Sequence, residues 1–252
     1  MNSFAVQIAL AVVPAILAIT LHEAAHGYAA LAMGDDTAKQ AGRLTLNPIA
    51  HIDKFGTILL PGFLLLTQLL TLGRVVFMFG WAKPVPVAAW KFRDPRRGMM
   101  IVAAAGPAMN FLLAWIAALL IPHPAQWSPG ALGYLDAAIN QHPVAGTLLF
   151  DFILYNLVLG LFNLIPIPPL DGGRIAVGLL PIQLARVWAG LERLGIVLVI
   201  LIVFLLPPML ADFGIRFDPF RQTINTVLPW ALHVLLVSSG HAIGAAHEQL
   251  VL

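Results

Sequence analysis

The stretch Leu21–Gly27 reads LHEAAHG and lies near the end of an apolar run, Phe4–Ala32, with no charged residue before Glu23. Twenty-nine residues with that composition predict a helix long enough to span a bilayer. On a helix His22 and His26 stand one turn apart on the same face, so both imidazoles can reach one metal ion. Glu23 follows the first histidine directly, where its carboxylate can hold a metal-bound water and take its proton. Two unrelated histidines and a chance glutamate are the plain alternative. Three ionisable groups in an apolar helix are costly to place, which weighs against it. At about 1.5 Å per residue His22 sits roughly 27 Å from Phe4, toward one face of the membrane.

The rest of the chain agrees with that setting. Of 252 residues 60% are hydrophobic and only 10% charged, where a soluble domain carries about a quarter. This composition predicts an all-α polytopic integral membrane protein, a single domain over residues 1–252. The first run has no basic residue before it and carries the chemistry, so it is expected to stay in the mature protein. There is no cysteine, so a metal has only His, Asp, Glu or water to hold it. A net charge of +2 argues against a nucleic-acid partner.

Outward from the first run, further spans are expected at Phe55–Phe79, Met99–Ile121, Thr147–Leu164, Val187–Leu206 and Thr223–Val237. That gives about five to six in all, with Pro122–Pro143 as a loop. Lys83, Lys91, Arg93, Arg96 and Arg97 precede the Met99 span, and the loop after it has no Lys or Arg. The positive-inside rule therefore puts Lys83–Arg97 in the cytoplasm. With both ends cytoplasmic, Phe55–Phe79 is expected to be re-entrant, lining a cavity.

Gly80–Val87, GWAKPVPV, reads as a short membrane-embedded β element, since two prolines two residues apart suit extended chain. Lys83, Val85 and Val87 share the edge that keeps its N–H donors. That edge either receives an unwound substrate strand or pairs inside the protein, for instance with Val75–Phe79.

A metal held by His22 and His26 needs more ligands, and the orientation brings Asp171 to the same membrane side. Asp171 is in a Pro- and Gly-bounded loop, so an ordinary turn aspartate is the alternative. Two His and one Asp with an open fourth position is a catalytic zinc arrangement.

Three separated motifs now stand in order: His22-Glu23-x-x-His26, Gly106-Pro107-x-x-Asn110, and Asn163-x-x-Pro166-Ile167-Pro168-Pro169-Leu170-Asp171-Gly172-Gly173. Together they resemble the site-2 protease family of intramembrane zinc metalloproteases. The connector Leu46–Asp53 and Gly80–Val87 look like its compact branch without extra soluble domains. The resemblance covers about residues 20–175; the spans over 187–247 are not diagnostic. It implies one Zn2+ per chain on His22, His26 and Asp171, Glu23 as general base acting on zinc-bound water, and Asn163 as a carbonyl or oxyanion partner. It also implies a transmembrane protein or peptide substrate, regulated intramembrane proteolysis, and a multi-pass plasma-membrane location with the active site toward the cytoplasm.

His51 is expected to hydrogen-bond in its turn, Asn110 to brace the helix beside the metal, and His123, His142, His233, His241 and His247 to lie outside the site. A metal-ion transporter is the alternative from another class, but transporters show mirrored repeats, and HEAAH and PPLDGG each occur once. A non-catalytic protein that binds membrane helices is the other, against which the intact Glu23 argues.

Overall fold

The computed structural model describes residues 4–74, 80–122 and 130–241, and among them it is helical with no β-strand. Helix α1 is Phe4–Ala32, with the bounds of the apolar run, and a single turn α2 (Thr37–Gln40) follows it. A π-helical turn Lys54–Leu59 runs directly into α3 (Leu60–Leu72), then come α4 (Pro95–Leu119), α5 (Gly130–Gln141) and α6 (Pro143–Asn163). The short α7 (Asp171–Leu179) leads to α8 (Ile182–Gly190), α9 (Gly195–Ile200), α10 (Leu206–Ala211), α11 (Pro219–Gln222) and α12 (Leu228–Ser238).

Four helical stretches are long and apolar enough to cross a membrane: Ala9–Ala32, Lys54–Thr71, Pro95–Leu119 and Pro143–Asn163. The bent pair Ile182–Leu194 and Val197–Ala211 makes a fifth if it counts as one span. The total is thus four to five, below the expected five to six. The expected Thr223–Val237 span falls in the continuous α11–α12 stretch, which starts at Pro219, carries Arg221, Gln222 and Thr223 near its beginning, and misses that measure. The loop expected over Pro122–Pro143 contains a helix, α5.

Helices α1, α4 and α6 pack mutually, and α7 lies against α4. Small residues on α4, among them Ala103, Gly106, Ala114, Ala117 and Ala118, are buried and let its neighbours come close, which in lipid is what drives helix association. A second apolar core forms where Ile153 and Leu157 of α6 meet Leu135 of α5 and Leu232 and Leu236 of α12. Large apolar side chains elsewhere point outward, such as Leu66 and Leu70 of α3, as lipid-facing surfaces require.

Helix α4 starts where the sequence can start one. Asp94 accepts the N–H groups of Arg96 and Arg97, and Pro95 takes the first helical position, where a missing N–H costs nothing. At the other end of α1, Gly34 adopts φ 96°. This left-handed turn lets the Asp35 N–H donate to Ala30 O at 2.9 Å, folding Asp35 back onto the helix end.

Residues 80–88 form no strand. The backbone N–H groups of Trp81 and Lys83 donate to Gly56 O and His51 O at 3.1 and 2.9 Å, and the Val85 N–H donates to Glu23 Oε2 at 3.1 Å. Alternate donors therefore turn to one side, as in extended chain. Their acceptors come from a 3-10 turn, a π turn and a side chain, so no ladder results. Of the edge positions 83, 85 and 87, expected either to receive substrate or to pair internally, Lys83 and Val85 use their N–H groups inside the protein; Val75–Phe79, the suggested internal partner, lies outside the described residues.

Candidate metal centre

The α1 spacing delivers the two imidazoles as expected. His22 and His26 stack edge-on with ring centroids 4.6 Å apart and Nε2 atoms 3.1 Å apart. Asp171 Oδ2 lies 3.2 Å from one Nε2 and 3.3 Å from the other. All three residues are buried, at 5%, 9% and 8% exposure. With Zn–N bonds of about 2.0–2.1 Å, a tetrahedral site has ligand-to-ligand edges of about 3.3 Å. The three donor atoms already stand at close to that separation.

Hydrogen bonding fixes which nitrogen carries the proton. His26 Nδ1 is 2.7 Å from the Val102 carbonyl, which can only accept, so Nδ1 is protonated and in the neutral ring Nε2 presents a lone pair. His22 reaches the same state through two amides. Asn156 Nδ2 donates to the Phe152 carbonyl at 2.8 Å, which turns its Oδ1 toward Asn110. Asn110 Nδ2 donates to that oxygen at 2.8 Å, leaving Asn110 Oδ1 to accept His22 Nδ1–H at 2.6 Å. Two bare nitrogen lone pairs thus face a carboxylate oxygen that is buried and takes no hydrogen bond. Such an arrangement is repulsive until a cation occupies it. The donor set fits a divalent metal of the zinc type: nitrogen and carboxylate oxygen without sulfur.

Helix α4 organises this arrangement. It supplies the Val102 carbonyl and Asn110, and between them Gly106 lets the imidazoles approach. A Cβ at Gly106 would stand 2.5 Å from atoms of both rings, so no other residue fits without displacing them. The start of the same helix holds the third donor. Asp171 is the first residue of α7, and at the far end of α7 Arg96 donates from Nε to Val177 O and from Nη2 to Gly178 O, each at 2.8 Å. A further bond runs from Nη2 to Leu180 O. Gly172 explains the rest of the Asp-Gly-Gly motif: a Cβ there would meet Leu164 O at 2.3 Å. The chain leaving α6 thus passes directly against the start of α7.

Glu23 is half-buried beside His22, and the Val85 N–H is its one hydrogen-bond partner among the described residues. Asn163 is not drawn into the cluster by a hydrogen bond; its Nδ2 donates to Leu159 O of its own helix at 3.0 Å. Asn110 braces the metal-facing histidine itself and not only the helix beside it. His51 is buried in its turn, with Nε2 3.0 Å from Thr45 O. His241 packs against Tyr134, away from the cluster. His123 and His247 lie outside the described residues.

Two contributors were missed by reading the sequence. Asn156 and Arg96 act over 46 to 84 positions of chain. The only sequence signal was a polar residue inside or at the end of an apolar helix.

Comparison with known proteins agrees with this geometry. The family model for peptidase family M50 matches residues 124–206. The chain is 39% identical over 196 residues, 78% of its length and 80% of the other, to a Bacillus subtilis protein named "Putative zinc metalloprotease YwhC". Rip2 of Mycolicibacterium smegmatis, which bears the same designation, is 29% identical over 77% of this chain and 66% of its own. A 92-residue stretch, 36% of this chain and 23% of the other, is 35% identical to the zinc metalloprotease MJ0392 of Methanocaldococcus jannaschii. No solved structure matches the chain. The chain belongs to peptidase family M50, the site-2 protease family, and is an integral membrane protein of zinc metalloprotease type.

Proposed function

We propose that this protein hydrolyses peptide bonds in or near transmembrane helices of other membrane proteins, with His22, His26 and Asp171 holding one zinc ion. The observation that carries the reading is the convergence of two Nε2 lone pairs and one unpartnered carboxylate oxygen within 3.3 Å of one another in a helix bundle that sits in lipid. A bound zinc supplies Lewis acidity, polarising the scissile carbonyl and lowering the pKa of water toward about 7. Asn110 and the Val102 carbonyl keep both imidazoles in the ligating tautomer. Glu23, next to the first ligand, takes the proton of the attacking water and returns it to the leaving amine. Its Oε2 is engaged by Val85 N–H, and its other oxygen is available for that proton. Asn163 Nδ2 gives one of its two N–H donors to Leu159 O, which leaves the other for the oxyanion.

The basic residues before α4 favour an active site toward the cytoplasm of the plasma membrane. With Lys54 at its start and the basic residues Lys83–Arg97 after it, the apolar Lys54–Leu72 helix would be re-entrant, a wall that lets water reach the site. The substrate is a membrane helix, locally unwound so that its peptide bond is accessible. Quantitative membrane proteomics of cells carrying wild type or Glu23→Gln tests this reading. Single-pass proteins, or fragments that keep their membrane helix, accumulate in the variant. Indistinguishable membrane proteomes under conditions of high expression would refute it.

A further inference from the structure

The Glu23 carboxylate is held from outside its own helix, and the sequence of the holding segment is built for stiffness. Val85 stands between Pro84 and Pro86. Proline fixes φ at 84 and 86, and each proline also confines the residue before it to extended backbone. The Val85 N–H is therefore a donor of fixed direction, and it points at Glu23 Oε2 from 3.1 Å. The Val85 side chain is buried against α1, where a Cβ on Gly27 would come within 3.2 Å of its Cγ1.

Three residues further on, the Ala88 N–H donates to Asp35 Oδ2 at 2.6 Å. Asp35 has no exposure at all. Its other oxygen accepts the Thr37 N–H at 3.0 Å and the Thr37 hydroxyl, and Lys91 Nζ lies 3.4 Å away. Arg43 Nη2 donates to Lys83 O at 2.6 Å on the upstream side. The segment is thus pinned on both sides of Val85, and the downstream pin is a buried carboxylate at the end of the helix that carries Glu23.

We infer that residues 83–88 are a positioning element for the general base, in which the Val85 N–H fixes the Glu23 carboxylate and Asp35 anchors the segment through the Ala88 N–H. The inference rests on the reading of Glu23 as general base. It differs from a substrate-docking role because the Lys83 and Val85 donors on this edge are already engaged within the protein. Asp35 touches neither metal ligand nor reacting atom; it acts through the segment.

The test uses the full chain in proteoliposomes with a transmembrane reporter peptide, measuring kcat and KM together with zinc per chain and thermal unfolding. Val85→Pro removes the donor, and Asp35→Asn replaces one of two acceptor oxygens with a donor at unchanged size. Both should retain one zinc per chain and wild-type KM within about threefold, while kcat falls about 10–100-fold, as for a misplaced catalytic group. The double variant should be no slower than the slower single one, because both changes release the same carboxylate. Lys91→Ala, which only loosens the anchor, is a milder third variant should either of the others not fold, and it too should lower kcat with KM unchanged. A raised KM with unchanged kcat would make the segment a docking element and overturn the inference. Additive losses in the double variant, or wild-type kcat in folded Val85→Pro, would overturn it as well. Glu23→Gln assayed in parallel separates the two levels: wild-type cleavage by that variant removes the general-base reading itself.

Discussion

Replacing Asn110 by alanine tests the chain of amides that sets His22. The side chain is fully buried and bonds His22 Nδ1 at 2.6 Å and Asn156 Oδ1 at 2.8 Å. Without it the His22 Nδ1–H has no acceptor, and the imidazole is free to rotate or to place its proton on Nε2. Losing such an outer partner costs about 10–100-fold in metal affinity, or about 1.4–2.8 kcal/mol at 1.4 kcal/mol per decade. The Asn156 oxygen left unpaired costs fold stability of about 1–3 kcal/mol besides. Competition between the purified protein and a chromophoric zinc chelator in detergent reads the first quantity, and thermal unfolding of the metal-free protein reads the second. Asn110→Asp keeps an acceptor against His22 and should hold zinc within about threefold of wild type. Wild-type zinc affinity in folded Asn110→Ala would refute the claim that this amide controls the ligand.

Gly106→Ala places a methyl where both imidazoles lie, 2.5 Å from ring atoms; metal analysis should find the purified variant largely free of zinc. Arg96→Ala frees the carboxyl end of α7 and should lower stability by about 1–3 kcal/mol and weaken zinc retention, read by unfolding and chelator competition. Burial alone would raise the Asp35 carboxyl, but Thr37, the Ala88 N–H and Lys91 outweigh it and hold the group below its ordinary 3.8. A depressed folded-state value stabilises the fold above that ordinary pKa and stops doing so as pH falls through the lower one. The unfolding difference between wild type and Asp35→Asn should therefore be constant at neutral pH and shrink below about pH 4. For orientation, single cysteines at Arg93 and Asp136 in this cysteine-free chain should react with an impermeant thiol reagent added outside intact cells only at 136; labelling at 93 would reverse the topology.

The α1 bounds and the His22–His26 pair were legible because both follow from local periodicity in an uninterrupted apolar run. Asp171 was legible as a candidate, though its place at the start of a helix was not, since Pro166–Gly173 reads as loop and α7 depends on Arg96 reaching over from α4. The strand expected at Gly80–Val87 failed for a related reason. Extended backbone is a local property that two prolines announce, whereas a ladder needs a regular partner, and the acceptors that meet this segment are a turn, a helix start and a carboxylate. Asn156 and Asp35 were invisible because a lone polar residue looks the same whether it caps a turn or steers a ligand. Asn163 shows the converse: its motif position points to the site, while its side chain bonds its own helix.

Glu23 acting as base beside a metal held by other residues is the decisive assignment. Purified wild type and Glu23→Gln, each assayed for zinc per chain and for cleavage of a reconstituted transmembrane peptide, test this directly. The prediction is one zinc per chain in both and cleavage in the wild type alone. Equal cleavage by the two proteins, or loss of zinc from the variant, would contradict it.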